Sequence, residues 1–287
     1  MIKIDKVQEN YEALDKILAK LKKHFPQHKN FVAMKRSESG FICGLMNMAR
    51  PKKVLEVGVA SGGTATMILQ QLEDFNDSYE MYSVDLNERF HNEPIGWLAK
   101  FAKENNLLAP QSIINERHKL YLGKYLPQVI DEIGSNIDFV ILDTVHYTPG
   151  ELLDFPVMLP YLKEGAIVVV HDISLNQLNY PFHKSDAHAT GLLFSAVYAK
   201  EKYLNFKEDT KAMPFNYPNI GAFRVDHATR EHIENVFLAM MLTWHYLPSF
   251  DDLTLYRQFY KKHYSEEIID LFDEAAKMNY NNVALKK

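Results

Sequence analysis

Two apolar runs in this chain end on groups that can do acid–base chemistry. FVILD closes on Asp143 and is followed by His146 and Tyr147; AIVVV is followed at once by His171 and Asp172. Short β-branched runs of this kind read as buried parallel strands, whose carboxyl ends collect side chains along one edge of a sheet. Neighbouring strands would bring Asp143 and Asp172 together although about thirty residues separate them. Two convergent carboxylates can hold a hard divalent ion such as Mg²⁺, which makes this pair the candidate metal site. An imidazole titrates near neutrality, so His146 and His171, with Asp143, are the candidate catalytic groups. A histidine that only packs and hydrogen-bonds at a strand end is the plain alternative. Asp154, on the following helical stretch, is placed to orient one of them or to face solvent.

A second constellation precedes these. In VLEVGVASGGTATMILQQL a buried strand runs into Gly58, Ser61, Gly62 and Gly63 and then directly into a helix. Glycines let the backbone turn sharply and approach a ligand, and the helix start offers free N–H groups. Dinucleotides and S-adenosylmethionine both use such a turn. The dinucleotide fingerprint is G-x-G-x-x-G, whereas the spacing here is G-x-x-x-G-G. Glu56, just before the first glycine, suits a cationic amino group and would repel a pyrophosphate. MYSVDLNERF then puts Asp85 at a strand end, with Leu86 after it, where an acid accepts from ribose hydroxyls. The expected cofactor contacts are thus Glu56, Gly58, Ser61, Gly62, Gly63, Asp85, Leu86 and Asp143, and the expected cofactor is S-adenosylmethionine, with Mg²⁺ or another divalent ion as an optional addition.

VLEVGVASGGTATMIL, YSVDLN and DFVILDTVHYTPGELLDFPVMLPYLKEGAIVVVHDI resemble the successive motifs of class I S-adenosylmethionine-dependent methyltransferases. The resemblance runs from about residue 50 to 175. It is nearest to a subgroup whose fourth strand ends in a D-x-x-H-x-Y-like sequence and whose fifth ends in H-D. That subgroup holds small-molecule and sugar O-methyltransferases and cephalosporin-hydroxylase-like proteins. The resemblance implies an O-methyltransferase acting on a small acceptor, a hydroxyl of a sugar or sugar-derived metabolite, with a sugar nucleotide as one form of it. Metal-dependent relatives carry an amide after the second acid; here that position is Ile173. A metal-dependent oxygenase on the same fold, and a non-catalytic binding protein that keeps the pocket, are the alternatives.

The elements that must position these groups follow from periodicity. VLEV, MYSVD, SII, FVILD and AIVVV alternate with amphipathic stretches, the pattern of a doubly wound α/β fold with a mostly parallel sheet. YLNF and IGAFRV, joined by a segment with Pro214, Pro218 and Asn219, predict an antiparallel edge hairpin and bring the strand count to seven. Helices are expected over 8–25 and 35–49, and again after Asp226, where apolar stripes recur through Ile233, Val236, Phe237, Met240 and Trp244. This divides the chain into N-terminal helices (1–50), a cofactor-binding catalytic domain (51–226) and a helical C-terminal extension (227–287). The extension is expected to cap the substrate, form a homodimer interface, or pack on the sheet. The loop 174–191, with Tyr180, His183, Asp186 and His188, is a natural lid.

A net charge of −5 offers no broad basic field, which argues against nucleic acid as the partner. Lys16, Lys20, Lys22 and Lys23 interleave with Leu14, Ile17, Leu18 and Leu21 as the wet side of an amphipathic helix. The single Cys43 sits among apolar neighbours, excludes an intrachain disulfide and suits a cytoplasmic setting. No secretory leader and no membrane span are expected.

Overall fold

Along the apolar runs of the central strands the side chains are buried, but alternate residues enter different cores. Leu55, Val57, Val140, Leu142, Val168 and Val170 join one apolar cluster, while Val54, Phe139, Ile141, Ile167 and Val169 join another. A sheet covered on both faces demands this unbroken apolar run, and period-2 geometry shares it between the layers. A computed structural model describes residues 3–5, 7–28, 31–75, 78–90, 92–108, 117–174, 191–205 and 218–284.

The strands are β1 (Lys3–Asp5), β2 (Lys53–Val57), β3 (Glu80–Asp85), β4 (Arg89–Phe90), β5 (Glu93–Pro94), β6 (His118–Leu122), β7 (Ile137–Leu142), β8 (Leu162–His171), β9 (Glu201–Leu204) and β10 (Ile220–Arg224). β4 and β5 form a separate small hairpin; the rest make one sheet in the order β1-β9-β10-β8-β7-β2-β3-β6. β6, β3, β2, β7 and β8 are parallel, and β10 runs antiparallel to both β8 and β9. The expected count of seven strands is met, and the three-residue β1 extends the sheet by pairing in parallel with β9.

One strand assignment changes. The SII run at 112–114 lies outside the described residues, and the third parallel strand is formed by HKLYL of β6. This edge strand buries His118 and leaves Lys119 and Leu120 exposed, so it carries no apolar run to announce it.

The N-terminal helices Glu12–His24 and Arg36–Ala49 share one face with Gly63–Phe75 and Trp97–Glu104. Leu14, Ile17 and Leu21 point inward, while Lys16 meets Asp74 at 2.9 Å, the amphipathic division expected. Phe41 and Leu45 of the second of these helices are buried, whereas Met48 near its end is exposed. Cys43 is buried, and burial pushes its thiol up to about 12, which leaves it unreactive.

The opposite face is covered by Gly150–Met158 and by the C-terminal helices His227–Glu231, Glu234–Ala239, Phe250–His263 and Glu266–Ala284. The apolar stripe through Ile233 to Trp244 is consumed here, packing within the chain rather than facing outward. A break after Ala239 carries Tyr246 and Pro248 back towards the sheet edge before Ser249 caps the next helix through Asp252 N at 3.1 Å. Among the described residues no helix is long and apolar enough to cross a membrane.

Candidate active site

Strand order reverses between β2 and β7, since the chain first builds outward through β3 and β6 and then returns to add β7 and β8 on the other side. Such a reversal opens a crevice at the carboxyl ends of the strands. The strand-end groups singled out for chemistry reach it. Gly58 follows β2, Asp85 ends β3, Asp143 follows β7, and His171 and Asp172 stand at the end of β8.

Gly58 has a φ of +89°, and a Cβ there would lie 1.7 Å from the carbonyl oxygen of Asp143. Its glycine character is therefore demanded by the neighbouring strand. Gly62 and Gly63 likewise make room for backbone, that of Gly96 and Phe31 respectively. The protein's own chain thus approaches these glycines closely.

Asp85 locks the same loop. Its Oδ2 accepts from Val59 N at 2.9 Å and Ala60 N at 3.3 Å, and its Oδ1 from Asn87 N at 2.9 Å. Glu56 is fully buried and accepts from Ser83 Oγ at 2.6 Å, while its other oxygen has no partner among the described residues. Burial raises its carboxyl to about 8, with Asp143 and Asp85 adding to the shift and Ser83 opposing it.

On the other side of the crevice His146 Nε2 lies 3.0 Å from Asp143 Oδ1 and 3.1 Å from Asp172 Oδ2. His171 Nδ1 lies 3.3 Å from each of the same carboxylates, and its Nε2 lies 3.2 Å from Glu38 Oε2. The Nδ1 contacts have ion-pair distance without hydrogen-bond alignment. Burial alone would discharge both histidines, but the carboxylates outweigh it: His146 is raised and His171 raised well above the ordinary imidazole value. Burial would equally raise the acids, yet the imidazoles hold Asp143, Asp172 and Glu38 below the usual carboxylate range. His146 and Asp172 both adopt left-handed backbone, at φ +60° and +56°. That conformation costs a non-glycine residue about 1–2 kcal/mol, and such strain gathers at functional sites.

Two members of this cluster carry no local sequence signal. Glu38, from the N-terminal helix Arg36–Ala49, accepts from Lys35 N at 2.7 Å and from Asn219 Nδ2 at 3.2 Å, besides its contact with His171. Asn219, just before β10, also donates to Asp172 Oδ1 at 2.6 Å. The amide missing after Asp172 in sequence is thus supplied beside it from another strand. Only the capping position of Glu38, three residues after Lys35, hinted at a fixed place for it.

The two halves share one cavity of about 600 Å³. Glu56, Gly58, Ser61, Gly63, Asp85 and Leu86 border one part; Asp143, His146, His171 and Asp172 border the other. Gly62 is the one expected cofactor contact that does not border it. Tyr246, Pro248 and Tyr256 of the C-terminal region complete the wall beside Asp154, whose Oδ1 accepts from Tyr256 at 2.7 Å. Asp154 orients neither histidine. Tyr180, His183, Asp186 and His188 lie outside the described residues.

The donor set suits a cation: Asp143, His146 and Asp172 each offer an atom, all within 4.8 Å of one another. With Glu38 and His171 the cluster sets three carboxylates against two imidazoles, leaving negative charge even when both rings are protonated.

Residues 55–173, from β2 to the end of β8, match the family model of a methyltransferase domain. This segment is similar to a methyltransferase domain. It contains Glu56, the glycine loop, Asp85, Asp143, His146, His171 and Asp172, and the flanking segments add Glu38, Asn219 and the tyrosine wall. No curated protein sequence matches the chain. Among solved structures, the O-methyltransferase TomG of Streptomyces achromogenes, in complex with S-adenosylmethionine, is 17% identical, with 77% of this chain and 92% of that one covered and a TM-score of 0.49. An O-methyltransferase of Bacillus cereus in complex with S-adenosylhomocysteine is 12% identical, with coverage of 76% and 92% and a TM-score of 0.47. MycE of the mycinamycin pathway, in complex with Mg, S-adenosylhomocysteine and mycinamycin VI, is 14% identical, with coverage of 73% and 55% and a TM-score of 0.43. All three fall below a TM-score of 0.5, too loose for residue roles to be read across.

Proposed function

We propose that this chain transfers a methyl group from S-adenosylmethionine to a hydroxyl of a small acceptor, a sugar or sugar-derived metabolite. The carrying observation is that the methyltransferase domain joins, in one cavity, a glycine loop tied to Asp85 and a strained histidine–carboxylate cluster. Glu56, Ser61, Asp85 and Leu86 hold the cofactor, with Gly58, Gly62 and Gly63 shaping the loop beneath it. S-adenosylmethionine, when bound, supplies the methyl group on a sulfonium, so the protein has to align the acceptor oxygen and take its proton.

His146 takes that proton when its ring is neutral, a form that its raised pKa places at higher pH. Its side chain is 31% exposed against 10% for His171, which Glu38, Asp143 and Asp172 enclose. Asp143 and Asp172 stabilise the imidazolium that forms, and His171 holds the two acids apart. A divalent ion would be held by Asp143 and Asp172 and would lower the pKa of the acceptor hydroxyl. Carboxylates facing the cavity suit a polyhydroxylated acceptor, and Lys35 and Lys124 on its wall suit the phosphates of a sugar nucleotide. In this reading residues 51–226 are the catalytic unit of a cytoplasmic enzyme, flanked by 1–50 and by 227–287, and the outer side of the extension is where a homodimer would form.

Titration calorimetry of the EDTA-treated protein with S-adenosylhomocysteine, in parallel with NADH and 2-oxoglutarate, tests the cofactor. Micromolar binding of S-adenosylhomocysteine alone is expected, followed by methylation of sugar nucleotides in an assay with and without Mg²⁺. Binding of 2-oxoglutarate instead would replace this reading with an oxygenase.

A further inference from the structure

Glu56 sits between Leu55 and Val57 inside a central sheet strand, and it is the start of a hydrogen-bonded chain leading away from the cavity. Ser83 on β3 donates to Glu56 Oε2 at 2.6 Å. Ser83 Oγ is 2.9 Å from His118 Nε2 on β6, and His118 Nδ1 is 2.6 Å from Lys103 Nζ on the helix Trp97–Glu104. The donors fix one another's direction. Since the serine proton goes to Glu56, Ser83 accepts from His118 Nε2–H, and the bare Nδ1 accepts from Lys103. Burial and the adjacent Lys103 lower His118 to about 3, which agrees with a neutral ring. All three donors point one way, towards the carboxyl group. Among the described residues, Asp143 after β7 and Asp85 at the end of β3 face Glu56, and both repel its negative charge.

This arrangement has a buried acid bordering the cavity, one oxygen anchored and the other, Oε1, without a partner among the described residues. We infer that binding of the cofactor's amino-acid moiety is coupled to ionisation of Glu56, and that Ser83, His118 and Lys103 are positioning residues that hold the resulting carboxylate against the ammonium. The inference rests on the cofactor reading above. In the exchange the Glu56 O–H bond breaks, the proton leaves to solvent, and the carboxylate keeps the electron pair beside the incoming –NH₃⁺. The bare carboxyl stays neutral because burial and two neighbouring acids oppose its charge; the ammonium reverses that balance.

The measurement is calorimetric titration of the intact protein with S-adenosylhomocysteine at pH 7 in phosphate and in Tris, whose different ionisation heats count protons released. With the free carboxyl at about 8, close to one proton per ligand is expected at pH 7, falling towards none at pH 9. 5′-Methylthioadenosine, which lacks the amino-acid moiety, should bind without release. Glu56→Gln should abolish release and weaken S-adenosylhomocysteine about tenfold or more while sparing 5′-methylthioadenosine. Ser83→Ala, which removes a donor to the carboxylate, should move the midpoint of proton release to higher pH, a change a purely structural role would not produce. Tight S-adenosylhomocysteine binding with no proton release, or release that persists in Glu56→Gln, overturns the inference and leaves the cofactor reading standing. Failure of both ligands to bind removes the cofactor reading, and the inference falls with it.

Discussion

Replacing Gly58 with alanine should couple a loss of stability to a loss of the active-site cluster. The added Cβ would fall 1.7 Å from the Asp143 carbonyl oxygen, roughly half of an ordinary carbon–oxygen contact, and at a φ of +89°. The left-handed backbone alone costs about 1–2 kcal/mol. The clash adds to it, because the Asp143 backbone it meets has its own N–H bonded to Val57 O at 3.0 Å and cannot swing aside. A total of about 3–5 kcal/mol is expected, which for a chain of this size lowers Tm by at least about 6 °C. Gly165→Ala is the control: its φ is +83°, but nothing lies within 4 Å of the added Cβ, so only the conformational cost of about 1–2 kcal/mol applies. Scanning calorimetry on both variants separates the two contributions. Equal shifts, or a Gly58→Ala shift within about 2 °C of wild type, would refute the claim that this glycine is fixed by the neighbouring strand.

His146→Ala should reduce kcat about 10²–10⁴-fold with S-adenosylhomocysteine affinity unchanged by calorimetry; a reduced affinity with normal turnover would move the base elsewhere. Glu56→Gln should become more stable relative to wild type as pH rises from 5 to 8. The native carboxyl keeps its proton to about 8 while the unfolded one loses it near 4.5, so the wild type loses stability across that window and the glutamine form does not. A Tm difference independent of pH would show that Glu56 is ionised in the free protein. Tyr256→Phe leaves the buried Asp154 without its 2.7 Å donor and should cost about 1–3 kcal/mol in urea unfolding, with no change expected if water replaces the hydroxyl.

The strands that line the crevice were readable because they are buried on both faces, which writes them as unbroken apolar runs ending in Asp85, Asp143 and His171–Asp172. β6 was not, because an edge strand with exposed Lys119 and Leu120 needs no such run. The glycine loop was legible from its residue types, and Gly58, Gly62 and Gly63 also serve tight chain packing, since a ligand turn and a strand-to-strand contact leave the same residues behind. Glu38 and Asn219 were invisible because their partners are 133 and 47 residues away in sequence, at His171 and Asp172. No local period records contacts of that length. The C-terminal stripes identified helices correctly, but periodicity does not say what covers them, and here Phe237, Tyr256 and Tyr260 turn inward onto the sheet.

The cavity wall is drawn from nearly the whole length of the chain, from Ala33 before the second helix to Tyr256 in the C-terminal region. A molecule seated there would act as a clasp between the two ends of the polypeptide. Neither end could peel away without surrendering part of its grip, so occupancy would protect both termini from proteolysis at once. During synthesis the pocket would remain without its tyrosine wall until that last stretch had been made and docked, long after the central sheet could have begun to fold.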